Sequence, residues 1–361
     1  MQADENAPPP LWTANLKPFS YASRPNPHYI GGKAYISGKF ADIGVLFATS
    51  EEVICYFVTK IDAGQLALRG RLEAPDPFRL QLIAFDGKTG VPKYRKELPA
   101  RFGSSSVMTN DEGKFVVRTG ESLRLYGTDF TLLKERELAT NGELDKWTLR
   151  VSPTGKTLLL DHYIPSVSRD EVLSSSSFST LAVTQDGPLF PIFSISDRSV
   201  VKPDPQQKGI LIRNFGGPWR TLSTANPFSC VSNPVFINDN QLVNACGRDV
   251  VFLTTDGEVV MRDAVDKKEH LEQLVSVTPD GKFVAVSAMQ TKGGLLDYSR
   301  IKRSQTRILI YDTTLRKRIS SVWVDPIPQK DYDFALAPDG STLAVMVDDK
   351  LKVYTVQTRK R

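Results

Sequence analysis

The sequence predicts an all-β protein, a seven-bladed β-propeller built from four-stranded antiparallel blades, and three observations predict it. Helical patterning is almost absent. One kind of turn recurs along the chain. The recurrence keeps a step of 42 residues over its middle portion.

Short runs of Val, Ile, Leu, Phe and Tyr are cut by Gly, Asp, Asn and Pro, the signature of many short strands. The recurrent turn reads Asn110-Asp111-Glu112-Gly113-Lys114, Pro153-Thr154-Gly155-Lys156, Pro279-Asp280-Gly281-Lys282 and Pro338-Asp339-Gly340-Ser341. Asp or Asn folds back on its own backbone, and Gly supplies the positive φ of a tight hairpin. Gly113 to Gly155 is 42 residues, and Gly155 to Gly281 is three such steps. The two intervening units turn at Ser196-Asp197-Arg198 and Asn238-Asp239-Asn240, and a weaker turn at Ser50-Glu51-Glu52 gives seven in all. A unit of this length with about four strands matches a propeller blade of ~40–45 residues. A β-sandwich also uses evenly spaced short strands, and the common register of the turns decides for the ring. Second hairpins follow at Phe85–Gly90, Tyr126–Asp129, Asn214–Gly217, Thr255–Glu258 and Tyr311–Thr314.

The last blade holds three strands, near Tyr332–Leu336, Thr342–Val347 and Leu351–Val356. Gln357–Arg361 is too short and too charged for a buried fourth. A segment within Leu11–Ser20 is therefore expected to complete the blade and remove two exposed sheet edges. The expected organisation is an extension over residues 1–20 and a single propeller domain over residues 21–361.

Val277-Thr278-Pro279-Asp280-Gly281-Lys282-Phe283-Val284-Ala285-Val286, followed by Ile308-Leu309-Ile310-Tyr311-Asp312, resembles the bacterial WD40-like and YVTN-type propeller repeats. Leu336–Val345 repeats the pattern. The resemblance implies the fold and marks turns; families of unrelated activity share it. Gly-His and Trp-Asp pairs are missing, unlike an ordinary eukaryotic WD40 repeat. Leu82–Gly90 resembles one quinoprotein repeat, with Tyr94 near the place of that family's Trp, but it occurs once. No cofactor is expected.

Composition excludes several functions. Net charge is +5, from 46 basic and 41 acidic residues, short of the basic stripe of a nucleic-acid binder. No stretch approaches the ~18 apolar residues of a spanning helix. Met1–Pro10 has no charged n-region or apolar h-region and reads as the start of a processed, exported chain. A periplasmic or secreted location is expected, with a cytoplasmic one as alternative, and a monomer. His28, His162 and His270 stand without partners at zinc-ligand spacing. Nucleophile elbows, zinc-protease helices and phosphate loops are missing. Asp331/Asp333 and Asp348/Asp349 flank strands, and Ser174–Ser177 reads as a loop. The chemistry points to a non-catalytic binding or scaffolding protein recognising a protein or anionic polymer. The alternative is a lactonase-type hydrolase with a site at the central channel.

The insertions carry the binding hypothesis. Extra residues fall at Lys60–Pro77, His162–Ser177 and Met289–Gln305, each between a second and a third strand. In blade three this is offset by a shortened fourth strand at Gly187–Phe190. Loops of this class leave a propeller on one face, where binding residues concentrate. Arg69, Arg71, His162, Tyr163, Tyr298, Arg300, Lys302 and Arg303 are the candidate binding residues. Lys292 and Arg307 add to a basic blade-six rim with Asp297 as its acidic member, in which Arg and Tyr supply hydrogen bonds and contact area. Charge alone would also keep such a loop solvated.

The three cysteines are too few for a disulfide scaffold. With Asp239 at the hairpin centre, Cys246 faces position 232 and Cys230 faces position 248. They share a sheet face diagonally, ~7–8 Å apart at Cα, beyond comfortable bonding range. Two outcomes stay open: buried free thiols, or a disulfide closed by a bulge or looser turn. Cys55, inside Val53–Val58, is expected to be buried and unpaired.

Overall fold

Each recurrent turn joins the first two strands of a four-stranded antiparallel sheet in the computed structural model, which describes residues 9–21, 43–60, 78–100, 105–138, 146–164, 167–186, 194–204, 209–222, 230–231, 234–292, 302–324, 332–347 and 349–356. Among these residues there is no α-helix and there are seven sheets. A first strand, β1, spans Trp12–Asn15. Blade one holds β2 (Ile43–Thr49), β3 (Glu52–Lys60), β4 (Phe78–Asp86) and β5 (Pro92–Ala100). Blade two holds β6 (Ser105–Thr109), β7 (Phe115–Thr119), β8 (Ser122–Tyr126) and β9 (Leu132–Glu137). Blade three holds β10 (Lys146–Val151), β11 (Thr157–Ile164), β12 (Val167–Ser174) and β13 (Thr180–Asp186). Blade four holds β14 (Ser194–Ile195), β15 (Ser199–Asp204), β16 (Gly209–Asn214) and β17 (Arg220–Leu222). Blade five holds β18 (Val235–Asn238), β19 (Gln241–Cys246), β20 (Asp249–Thr254) and β21 (Val259–Ala264). Blade six holds β22 (Glu269–Val277), β23 (Phe283–Lys292), β24 (Lys302–Asp312) and β25 (Lys317–Val324). Blade seven holds β26 (Tyr332–Leu336), β27 (Thr342–Val347) and β28 (Lys350–Thr355).

The step of 42 residues is visible in the second strands, which begin at Phe115, Thr157, Ser199, Gln241 and Phe283. First strands pack on one another around the ring, and hydrogen bonds stitch them together. The Phe236 amide donates to Ser194 Oγ at 3.1 Å, and the Val45 amide to Asp333 Oδ2 at 2.9 Å. The first-to-second-strand turns bond likewise. Thr154 Oγ1 donates to Asp197 Oδ2 at 2.7 Å, and the Asp197 amide to Asp239 Oδ1 at 2.9 Å. Gly155 shows why the turn needs glycine. Its φ is +80°, and a Cβ there would lie 2.5 Å from the Asp111 amide nitrogen of the preceding turn. The repeated motif is thus a local turn and an inter-blade fastener.

Burial follows the same plan. The apolar core divides into seven clusters, one in each seam between neighbouring blades. Side chains alternate across each strand, so every blade packs both its faces.

β1 forms the outer strand of blade seven, pairing Trp12 with Val353 and Asn15 with Lys350. Trp12 reaches across the seam to blade one. Its Nε1 donates to Gly87 O at 2.8 Å, and its ring stacks on Phe85 with centroids 6.1 Å apart. Leu16, just beyond, is fully buried. The N-terminal strand closes the ring as expected.

Blade three departs from the sequence expectation. His162–Ile164 and Val167–Ser174 are strand residues, and the chain turns back at Ser174–Ser179, where the four serines form a tight turn. The fourth strand is Thr180–Asp186, so it precedes the expected Gly187–Phe190, which lies outside the described residues. The polar run Ser168-Arg169-Asp170-Glu171 reads as loop because strands usually alternate with apolar residues. Here Asp170 and Glu171 are buried, one on each face.

Cys230 and Cys246 are joined by a disulfide, with Cα atoms 5.7 Å apart. β18 begins only at Val235, so Cys230 stands outside the ladder and is not held at the diagonal spacing. Asn244 Nδ2 donates to Cys230 O at 3.1 Å and holds the segment in place. Cys55 is buried and not disulfide-bonded, and burial pushes its thiol well above the ordinary range.

Candidate binding face

All blades share one strand order, so their second-to-third-strand hairpins leave the ring on the same side. These hairpins are unequal. In blades one, three and six their strands are eight to eleven residues long. In blades two, four, five and seven they are five or six. Second strands start in common register, so the added length lies at the hairpin end. At ~3.3 Å per residue it lifts three hairpins roughly 7–16 Å above the rest. The tall blades are separated by low blade two, by low blades four and five, and by low blade seven, which leaves three gaps between three posts.

Each post is rooted in charge. In blade one, Gln81 is buried, with its Nε2 donating to Glu97 Oε2 at 3.0 Å and its Oε1 accepting from Arg95 Nε at 2.8 Å. Arg79 Nε lies 3.7 Å from Glu97. In blade six, Arg307 meets fully buried Glu269 at 2.5 Å and lies 5.1 Å from the Trp323 ring centroid. Blade three holds Arg150, Asp161 and Asp170, all nearly inaccessible. Asp161 and Asp170 are direct cross-strand neighbours, and Arg150 is one step away on β10. Burial pulls the Arg150 guanidinium down to about 10, while Asp161 and Asp170 pull it back up. It remains a cation at neutral pH. On the opposite face of blade three, Arg136 from blade two pairs with Glu171 at 2.6 Å.

These clusters are what sequence reasoning missed. Arg307 was grouped with the basic rim and instead belongs to the ion pair at the base of its hairpin. The signal available was a charge at an alternating apolar position, as with Arg150 between Leu149 and Val151. Of the candidate binding residues, Arg69, Arg71, Tyr298 and Arg300 lie outside the described residues. The backbones of His162 and Tyr163 stand at the end of β11, opposite Arg169 and Ser168. Lys302 and Arg303 open β24, opposite Lys292 and Thr291. Among the described residues, no group of three or more His, Cys, Asp or Glu is placed to hold a metal.

Seven four-stranded antiparallel sheets in a ring define the class: the chain has a WD40-like β-propeller fold. Solved structures agree. A chain of the mitotic checkpoint complex aligns with a TM-score of 0.55 and 11% identity, over 99% of this chain and 94% of that one. The structure of BBS1N in complex with ARL6DN aligns with a TM-score of 0.50 and 12% identity, over 95% and 97% of the two chains. At such identities the likeness is one of fold. No protein-family model matches this chain, and no curated protein does.

Proposed function

We propose that this chain is a non-catalytic binding or scaffolding propeller of the bacterial YVTN-like type, exported from the cell, which holds a protein or anionic polymer between its tall hairpins. The single observation that carries this reading is the set of three posts raised on one face, two over buried charges and the third over a buried Gln81 held by Glu97 and Arg95. Buried charge pairs are a poor source of stability. Their use at two of the three posts fits a demand for fixed hairpin orientation, as a pre-organised binding surface requires. Lys292, Lys302 and Arg303 on the blade-six post supply positive charge toward an anionic partner. Proteins that share the ring are found in complexes with other proteins, as the two aligned structures are.

The test uses a heparin column and a fluorescent heparin oligosaccharide as the anionic probe. Replacing Arg300, Lys302 and Arg303 with Ala should weaken binding at least ~tenfold and flatten its salt dependence. Melting temperature should not move. Unaltered binding at every salt concentration would return this rim to ordinary solvated surface.

A further inference from the structure

The outer strands of a propeller present a free sheet edge, and most edges here are guarded. β5 carries Pro92, Pro99 and three cations, and β9 has four consecutive charges. β21 and β25 each carry a charged pair. β17 and β1 are three and four residues long. Length, charge and proline are the usual devices against edge-to-edge pairing. β13 has none of these three, and its one irregularity is a β-bulge at Leu181 of the kind that the other long outer strands also carry. It runs seven residues, Thr-Leu-Ala-Val-Thr-Gln-Asp, with no charge before its last position. Leu181 and Val183 are 55% and 45% exposed on the same strand face, while Ala182 turns the other way into the seam with blade four.

In place of the monomer expected from the sequence, we propose that two copies of this chain associate through β13, edge to edge and antiparallel, about a two-fold axis at Val183. The strand is complementary to itself. With Val183 opposite its own copy, Leu181 stands opposite Gln185 and Thr180 opposite Asp186. Directly opposed residues share a face, so Leu181 and Val183 of both copies gather into one apolar row. The ends match in charge as well. Lys134 donates to Ser177 O, and the Ser175 amide donates to Lys156 O at 2.9 Å. Two lysines therefore flank the turn at the start of β13, and antiparallel pairing brings the other copy's Asp186 to that end. A two-fold axis makes the contact closed rather than fibrous. Pairing of one strand buries less than the ~1,200 Å² of a stable interface, so the dimer is weak and concentration-dependent.

Sedimentation velocity on the full chain, from low micromolar to millimolar protein, reads the association directly. A reversible monomer–dimer equilibrium is expected. Val183→Lys, which sets two ammonium groups against each other at the axis, should weaken it by ~tenfold or more. Leu133→Lys, at an equally exposed position on β9, should leave it unchanged. Val183→Cys should form a covalent dimer under mild oxidation, because opposed strand residues lie ~4.5–5.5 Å apart at Cα. A chain that stays monomeric throughout, and so leaves β13 to another protein's strand or to none, overturns the proposal. So does a dimer that tolerates Val183→Lys.

Discussion

Between blades seven and one, sixteen buried apolar residues meet, while the seam between blades three and four gathers four among the described residues. The first seam is the place where the chain's ends come together, and the ring is shut there by the β1–β28 hydrogen-bond ladder and the side chains around it. Trp12, Leu16, Phe57, Phe85 and Val353 fill it. In the second, Leu159, Val172, Ile195 and Val200 share the space with Arg150, Asp161, Asp170 and Arg213. Trp219 there has Lys202 and Arg213 within 4.3 Å of its ring centroid. A continuous strand-to-strand connection tolerates a polar seam. A junction held only by side chains and a borrowed strand concentrates its apolar area there, where burial gives ~25 cal/mol per Å².

The comparison breaks most visibly at the closing strand. Deleting residues 1–20 removes Trp12, Leu16 and the β1 ladder together. With one large buried side chain worth ~3–5 kcal/mol, the loss should reach on the order of 5 kcal/mol. Urea titration followed by tryptophan fluorescence measures it, and an unchanged midpoint would count against closure by β1.

Next in size is the polar seam. Arg150→Ala leaves two buried carboxylates face to face and should cost about 3–5 kcal/mol. Replacing Arg150, Asp161 and Asp170 together with Met, Leu and Leu should cost far less, or nothing. If the triple variant falls as far as the single one, the charges contribute more than mutual compensation.

The smallest effect sharpens the apolar seam through Cys55, which lies within it. The unfolded thiol releases its proton near ~8.5, while burial holds the folded thiol protonated well beyond that. Above ~8.5 the native state therefore binds more protons than the unfolded chain, and stability falls by up to ~1.4 kcal/mol per pH unit. The slope of unfolding free energy between about pH 8 and 10 should be shallower in Cys55→Ala. Identical slopes would mean that Cys55 is reached by solvent.

The turns were legible because a tight hairpin restricts both composition and spacing, and Gly113, Gly155, Gly281 and Gly340 all take positive φ. Closure was legible by subtraction, from a last blade one strand short. The third strand of blade three was not. Val167–Ser174 carries three charges in eight residues, and the compensation of Asp170 and Glu171 comes from another strand and from the neighbouring blade. Arg136, which answers Glu171, lies 35 residues away in sequence. Charge that is paired at long range looks in sequence like charge that is solvated. The same difficulty hid the ionic roots of the tall hairpins, whereas their extra length showed plainly as broken spacing.

The pairing of β1 with β28 also orders events in time. Trp12 leaves the ribosome more than three hundred residues before Val353, its partner in the ladder. Blades one to six have all four strands in sequence and can form as they emerge, each from local hairpins. Blade seven cannot, and until its last strand arrives the earliest strand has an unpaired edge and an exposed indole. Non-local pairing of this kind is slow. The final step of maturation is thus a docking of two distant segments, and the nascent ring stays an open arc for nearly the whole of its synthesis.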